Sequence, residues 1–206
     1  EASYVLAEWL SRQGSGLGHA ESVGHLAPAR LRRGWARSLG VELGAGLGLP
    51  SLVAARLGVE VVATDGDPLV LELLRRNAAR EAGEGGRLRV EGLLWSDSVS
   101  PASLGLSRPP DLLLASDVIY ASDREEALAG LASTLGALAG PETLLLIANV
   151  RRYPAGHAQG EERFFSRLDP VFERAELPQH CLHRDFQRTG IGSCAVHVLR
   201  KREAAA

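Results

Sequence analysis

Five short apolar runs alternate with segments of helical periodicity between residues 39 and 148. Short runs rich in branched apolar residues are typical of strands that a sheet buries on both faces. Such alternation predicts βαβ units and a mostly parallel sheet with helices on both faces. The predicted strands are 39–43, 59–63, 88–93, 112–115 and 143–148, and the predicted helices between them are 49–57, 68–81 and 122–139.

The segments on either side of this core are less regular. Apolar residues at helical spacing predict a helix over Tyr4–Leu10, and residues 14–34 are predicted as a loop with one helical turn near its end. After the fifth strand, the pattern predicts a helix at Glu161–Leu168 and strands near His180–Phe186 and Ser193–Leu199.

Composition narrows the class of protein. The 206 residues are 45% apolar and 23% charged, which is typical of one globular domain with its own core. A formal net charge of −2 argues against a protein held mainly by nucleic-acid phosphates, and no apolar run approaches the ~20 residues of a membrane helix. Cys181 and Cys194 fit free thiols in a reducing compartment, so we expect the cytoplasm or the nucleus; the alternative is a disulfide between the two. The chain opens at Glu1 and contains no methionine, so we expect further residues before it.

A glycine-rich loop joins the first predicted strand to the helix that follows, reading Glu-Leu-Gly-Ala-Gly-Leu-Gly from Glu42 to Gly48. Glycines allow a tight turn and let a ligand approach the backbone closely. In a dinucleotide fingerprint the third glycine would stand where this chain has Leu49, and a carboxylate at Glu42 would repel a pyrophosphate. The loop favours a ligand that carries an ammonium or sulfonium cation. The alternative is a tight turn with no ligand.

An acidic residue, Asp65, ends the second predicted strand in the sequence Val-Ala-Thr-Asp. A carboxylate at this place typically accepts hydrogen bonds from both ribose hydroxyls of a nucleoside ligand. The alternative for Asp65 is a solvated turn residue. Asp67 is better explained as the cap of a helix that starts with Pro68.

These motifs resemble the seven-β-strand methyltransferases that use S-adenosylmethionine, and within them the methyltransferase-like group that includes many protein-lysine methyltransferases. The resemblance implies an α/β, Rossmann-like, doubly wound fold with a mostly parallel seven-stranded sheet and helices on both faces. It also implies a single methyltransferase domain over residues 1–206, with an N-terminal helix and loop (1–38), a cofactor-binding core (39–150) and a substrate-side part (151–202). The stretches that carry it are ELGAGLGLP (42–50), VATD (62–65), LLW (93–95) and DLLLASDVIY (111–120).

The resemblance also implies which residues hold S-adenosylmethionine. Asp65 would hold the ribose, and the loop would lie along the methionine part of the cofactor. Trp95 would stack on the adenine and Asp97 would accept from its amine, with a plain core aromatic as the alternative for Trp95. The cofactor-binding residues implied are Glu42, Gly44, Ala45, Gly46, Gly48, Asp65, Trp95, Asp97 and Ser116.

The motif Asp117-Val118-Ile119-Tyr120 resembles the Asp/Glu-x-x-Tyr/Phe motif of the same group, which implies that Asp117 and Tyr120 are catalytic. Methyl transfer is an in-line displacement, and a lysine acceptor must first lose its proton. Asp117 would then orient the neutral amine, and Tyr120 would line an aromatic channel for the lysine stem. The alternative is that Asp117 starts a turn and Tyr120 packs in the core.

The sequence therefore predicts a methyltransferase that acts on a lysine side chain of a protein, as a monomer without nucleic acid or membrane as a partner. A small-molecule methyltransferase and a non-catalytic binding module on the same fold are the alternatives. The chain reads Asn149-Val150-Arg151-Arg152-Tyr153 after the fifth strand, without Asn-Pro-Pro-Tyr, so adenine or amide methylation is not indicated. A metal site at His180-Cys181-Leu182-His183 is disfavoured, because strand alternation would separate its ligands.

Overall fold

The computed structural model describes residues 1–17, 21–81, 86–119, 125–151 and 155–203. Within these residues one seven-stranded sheet has the strand order β3-β2-β1-β4-β5-β7-β6. The first five strands pair in parallel, whereas β7 is antiparallel to both β5 and β6. The strands are β1 (Leu39–Leu43), β2 (Glu60–Asp65), β3 (Leu88–Gly92), β4 (Leu112–Ser116), β5 (Leu144–Val150), β6 (Phe172–Glu176) and β7 (Cys194–Lys201).

The helices that connect the parallel strands lie where the sequence pattern predicts them. Asp67 accepts a hydrogen bond from the Leu69 N–H (2.8 Å) and so caps the helix that begins at Pro68, as predicted. Short 3₁₀ turns lie at Glu21–Leu26 and Ala102–Leu104. The helices are α1 (Ala2–Arg12), α2 (Ala29–Arg33), α3 (Leu49–Arg56), α4 (Pro68–Glu81), α5 (Glu125–Leu138) and α6 (Ala155–Leu168).

The central strands divide their side chains between two apolar layers. Leu112 and Leu114 of β4 face a layer that contains α1, α2 and α3. Leu113 and Ala115 of the same strand face a layer that contains α5 and α6. This alternation is what a largely parallel sheet covered on both faces requires. The prediction of an α/β, doubly wound fold is confirmed.

The buried carboxylate of Asp111 ties together the amino-terminal ends of two central strands. It accepts a hydrogen bond from the backbone N–H of Leu39, which begins β1, at 2.7 Å. Arg108 donates two further hydrogen bonds to it, at 2.9 and 2.7 Å. The carboxyl-terminal ends of β1 and β4 lie at the opposite edge of the sheet, where open α/β sheets bind ligands.

The prediction of a strand near His180–Phe186 is wrong. The structure has 3₁₀ turns at Gln179–Cys181 and Arg184–Phe186, and the sixth strand is β6, further upstream. β6 lies at the edge of the sheet and buries only Phe172, so its sequence lacks the apolar alternation that reveals other strands.

The start of the last helix also differs from its prediction. α6 begins at Ala155 and not at the predicted Glu161. The sequence pattern does not reveal its first turns because they contain Gly156 and Gly160, which are poor helix formers.

Among the described residues, no three His, Cys, Asp or Glu side chains come together as a metal site. No helix within the described ranges is long and apolar enough to cross a membrane.

Candidate active site

The carboxyl ends of β1, β2 and β4 meet at a cavity of about 560 Å³, which we call the glycine-loop cavity. β1 lies between β2 and β4, so the chain turns to opposite sides of the sheet at this point, where open α/β sheets bind ligands. Four of the predicted site residues line the cavity: Gly44, Asp65, Trp95 and Asp117.

The glycine loop lies close against the cavity wall because Gly44 has no side chain. A Cβ atom on Gly44 would lie 2.9 Å from Val118 Cγ1 and 3.2 Å from Trp95 Cζ2, and its φ of 62° also favours glycine. The neighbouring residue Ala45 is buried and donates its N–H to the Thr64 carbonyl of β2 at 2.8 Å. Gly48, with a φ of 82°, starts α3 and closes the loop.

Glu42 is fully buried at the end of β1 and is not among the residues that line the cavity. Its Oε2 accepts hydrogen bonds from the Ser51 N–H (2.9 Å) and from the Ser51 hydroxyl. Its Oε1 has no hydrogen-bond partner among the described residues. Burial raises the pKa of Glu42 to about 7, against the lowering effect of the bonds from Ser51, and the nearby charge of Asp65 raises it further.

Asp65 fixes the conformation of two loops at once. Its Oδ2 accepts the N–H of Gly46 at 3.0 Å, and its Oδ1 accepts the N–H of Asp67 at 3.0 Å. Because a carboxylate offers about four acceptor positions, two remain for a ligand. Asp65 is half-buried, so it differs from a merely solvated turn residue.

Trp95 is half-buried, where it both packs against the apolar layer of α5 and α6 and lines the cavity. The next residue, Ser96, is held to α5 by Thr134, whose hydroxyl accepts the Ser96 N–H and donates to the Ser96 carbonyl, both at 3.0 Å. A Cβ on Gly130 would lie 2.6 Å from the Trp95 carbonyl oxygen, so only glycine lets α5 approach this closely.

Gly130 and Thr134 did not emerge from the sequence as contributors to the site. The sequence feature that could have revealed Gly130 is a glycine inside an otherwise apolar helical pattern, which indicates a close approach of another chain segment.

The end of β4 is anchored on both sides. The buried Ser116 hydroxyl lies 2.9 Å from the hydroxyl of Ser3, which links β4 to α1. Asp117 donates its N–H to the Ala148 carbonyl of β5 at 2.8 Å and has a φ of 59°. A residue other than glycine in this left-handed region is uncommon and is concentrated at functional sites.

Six of the predicted site residues that the structure describes are not among those that line the cavity, namely Glu42, Ala45, Gly46, Gly48, Asp97 and Ser116. Asp97 is exposed and is not among the residues lining the glycine-loop cavity, so its contact with adenine stays a prediction. Tyr120 lies outside the described residues, as do residues 122–124 of the helix predicted over 122–139.

Comparison with known proteins adds an independent line of argument. A family model described as lysine methyltransferase matches residues 1–171. The chain is 33% identical over 162 residues to the protein N-lysine methyltransferase METTL21A of Danio rerio, covering 78% of this chain and 64% of that protein. It is 36% identical over 141 residues to the EEF1A lysine methyltransferase 3 of Mus musculus, covering 68% of this chain and 55% of that protein. The chain therefore spans roughly three fifths of the length of these relatives.

The fold also matches solved structures. The crystal structure of a TehB-like SAM-dependent methyltransferase from Corynebacterium glutamicum superimposes with a TM-score of 0.60 at 14% identity, covering 90% of this chain and 88% of that chain. At this identity the similarity shows the fold alone, which is the Rossmann-like arrangement that the sequence implies.

Proposed function

The chain belongs to the lysine methyltransferase family, and from this membership we propose that it transfers a methyl group from S-adenosylmethionine to a lysine side chain of a protein. The observation that carries the proposal is the glycine-loop cavity, where a glycine loop, Asp65 and Asp117 converge at the ends of three strands. The relatives named as protein lysine methyltransferases support the choice of a protein as the acceptor.

The residues at the cavity fit S-adenosylmethionine. Glu42 does not itself line the cavity, but it lies close to Asp65, and its buried Oε1 has no donor among the described residues, which suits the ammonium group of a bound amino acid moiety. Asp65 keeps two acceptor positions for ribose hydroxyls, and the ring of Trp95 offers an apolar face to adenine. When bound, this cofactor supplies a methyl group activated by a sulfonium sulfur.

We assign the binding of the methyl acceptor to the segment that follows β4. Asp117 lines the cavity, and its left-handed backbone turns the chain away from the sheet directly after Ser116. We assign to Asp117 the orientation of a neutral lysine amine, while water takes the proton that the amine must lose. The aromatic ring of Tyr120 is proposed to line the path of the lysine side chain.

A transfer assay tests this proposal. The protein is incubated with methyl-labelled S-adenosylmethionine and a cell extract, which is then separated into protein and small-molecule fractions. We expect label in a discrete protein band, released as methyl-lysine on hydrolysis, and lost with Asp65→Ala. Glu60→Ala is the matched control, because Glu60 is an exposed acidic residue at the opposite end of the same strand and should leave transfer unchanged.

The other outcomes would replace the proposal. Label only in the small-molecule fraction would identify a small-molecule methyltransferase. No label in either fraction, with no binding of S-adenosylhomocysteine, would indicate a binding module without catalysis.

We also propose that the protein is a monomer and that it acts in the cytoplasm or nucleus. Its partner is a protein, and neither nucleic acid nor a membrane is expected as a partner. The net charge of −2 supports a partner other than nucleic acid, and the two cysteines, which are both free thiols, suit a reducing compartment. Light scattering and cell fractionation test these points. A dimer, or recovery with membranes, would contradict them.

A further inference from the structure

A second cavity, of about 580 Å³, lies between β5, β7 and α6, and we call it the acidic cavity. Ile119 lines this cavity, whereas the preceding residue, Val118, lines the glycine-loop cavity. The segment that follows β4 therefore separates the two. A molecule that reaches Asp117 from the β5 side would pass the acidic cavity.

The walls of the acidic cavity carry an excess of negative charge. Four carboxylates line it, against two guanidinium groups, and both arginines are paired within the cavity. Arg151 lies 2.7 Å from Glu176, and Arg174 lies 3.3 Å from Asp169. The remaining carboxylates are Glu161 and Glu162.

Two residues that line the same cavity each carry a buried acceptor atom that has no donor among the described residues. Asn149 is 3% exposed and donates its Nδ2 to Glu161 Oε2 at 3.4 Å, which leaves its Oδ1 without a partner among the described residues. His197 is also 3% exposed, and its Nε2 lies 3.3 Å from Glu161 Oε1 while its Nδ1 has no partner there. With the neutral ring donating from Nε2, Nδ1 is an acceptor. Buried acceptors without donors are unfavourable, so a ligand rich in N–H groups would stabilise them.

Glu161 keeps its negative charge in this setting. Burial alone would raise its pKa, but the hydrogen bond from His197, the charge of Arg151 and the hydrogen bond from Asn149 act in the opposite direction, and the pKa is lowered. The ring of Phe165 packs against His197, with the ring centroids 4.2 Å apart. The carboxylate is therefore available to a cation at neutral pH.

We propose that the acidic cavity binds a lysine or arginine side chain of the substrate protein that flanks the lysine receiving the methyl group. The proposal rests on the proposed function only for the identity of the substrate as a protein. A flanking side chain is favoured over the reacting lysine because excess negative charge stabilises a protonated amine, whereas the reacting amine must lose its proton. Ammonium and guanidinium groups also supply several N–H donors to Asn149 and His197.

Peptide binding tests the proposal without requiring catalysis. Fluorescein-labelled peptides of alanine and serine carry a central lysine and one arginine, which is moved through the flanking positions. Fluorescence anisotropy gives their affinity for the full chain in the presence of S-adenosylhomocysteine. Citrulline, which has the shape of arginine without its charge, replaces arginine in the control peptides. We expect at least one position at which arginine binds about tenfold more tightly than citrulline.

The variant Glu161→Gln keeps the volume of the side chain and its acceptor for Asn149, and we expect it to reduce the preference for arginine to within about twofold. Glu72→Gln is the matched control, because Glu72 is an exposed glutamate on α4 that is also paired with an arginine, Arg76. It should leave the preference unchanged.

Several outcomes would overturn the proposal. Absence of any preference for arginine over citrulline in the unaltered protein would do so without any variant, and so would a preference that survives Glu161→Gln. If cell-extract proteins are still methylated while the preference is absent, the proposed function stands and only the cavity's role is wrong. If the preference is present but no protein is methylated, the cavity binds a cationic side chain and the proposed function is wrong.

Discussion

Glu42 carries a buried carboxyl group whose pKa is raised from the ordinary 4.5 to about 7, chiefly because burial disfavours its charged form. The unfolded chain has the ordinary value, so the folded state binds this proton more tightly. Both states are protonated at low pH, and the contribution of Glu42 to stability is then at its maximum. As the pH rises from about 4.5 to about 7 the unfolded state loses its proton first, which lowers the stability of the folded state.

Glu42→Gln should remove this dependence, because glutamine has the same size and can still accept from the Ser51 N–H. Relative to this variant, the wild-type free energy of unfolding should fall by up to about 3 kcal/mol between these pH values and then level off. Urea titrations of both proteins at several pH values measure the difference. A difference that is constant across the range would contradict the raised pKa.

Gly44→Ala is expected to weaken the binding of S-adenosylhomocysteine by more than about tenfold, since its Cβ would press on Val118 and Trp95 at the cavity wall. Isothermal titration calorimetry measures the affinity. Gly58→Ala is the control: Gly58 also has a positive φ, of 101°, nothing lies within 4 Å of an added Cβ, and it does not line the cavity. Both variants should lose about 1 kcal/mol of stability through backbone strain. Equal affinities of the two variants would show that contact with the wall does not matter.

Contiguous motifs explain why part of the site could be predicted from the sequence. The loop from Glu42 to Gly48 and Asp65 each follow a strand directly, so their position is set by local sequence. The contacts that hold the Trp95–Ser96 segment in place could not be predicted in this way. Thr134, which binds the Ser96 N–H, lies 38 residues further along the chain, and its contact depends on how α5 packs. Hydrogen bonds over such separations leave no periodic pattern in the sequence.

At the scale of elements, the contact between α5 and the Trp95–Ser96 segment is expected to depend on one hydroxyl. Thr134→Val keeps the shape of the buried side chain but leaves the Ser96 N–H and carbonyl without their partner, which should cost about 1–3 kcal/mol. Thermal unfolding measures this cost, and faster hydrogen exchange of the Ser96 amide would locate it. Ser133→Ala, at the exposed neighbouring position, should change stability little. Similar losses in both variants would argue against the specific contact.

The elements themselves differ in how well the sequence predicts them. β1, β4 and β5 are central and buried on both faces, so continuous apolar runs reveal them. β6 is an edge strand whose exposed residues are Glu173, Arg174 and Glu176, among others, and it forms because β7 offers a free edge rather than because of its own pattern. α6 likewise includes Gly156 and Gly160 in its first turns, although glycine disfavours a helix, so its start could not be predicted from local sequence.

At the scale of the whole molecule, α1 is part of the main apolar layer. Leu10 is fully buried in it, so Leu10→Ala should lower the free energy of unfolding by about 2–5 kcal/mol. Leu69→Ala is the control, because Leu69 is 74% exposed and its loss should cost less than about 0.5 kcal/mol. Urea titration compares the two. Equal, small effects would mean that α1 does not dock on the sheet.

The seven-stranded, doubly wound sheet was predicted from alternation and resemblance, but the acidic cavity was not. Asn149, Glu161 and His197 come from three different elements and are brought together only by the antiparallel end of the sheet. The division of the chain into an N-terminal part, a cofactor-binding core and a substrate-side part stays a prediction.

The position of β7 has a consequence for how the protein is made. β7 lies between β5 and β6, although it follows both in sequence. On the ribosome, the edge of β5 and all of β6 therefore remain without their strand partner until residues 194–201 leave the exit tunnel. A nascent chain that ends before this point exposes an unpaired apolar edge, which is prone to aggregate. Completion of the sheet therefore follows the synthesis of both β5 and β6, and the acidic cavity, which His197 of β7 lines, forms only after β7 has left the tunnel.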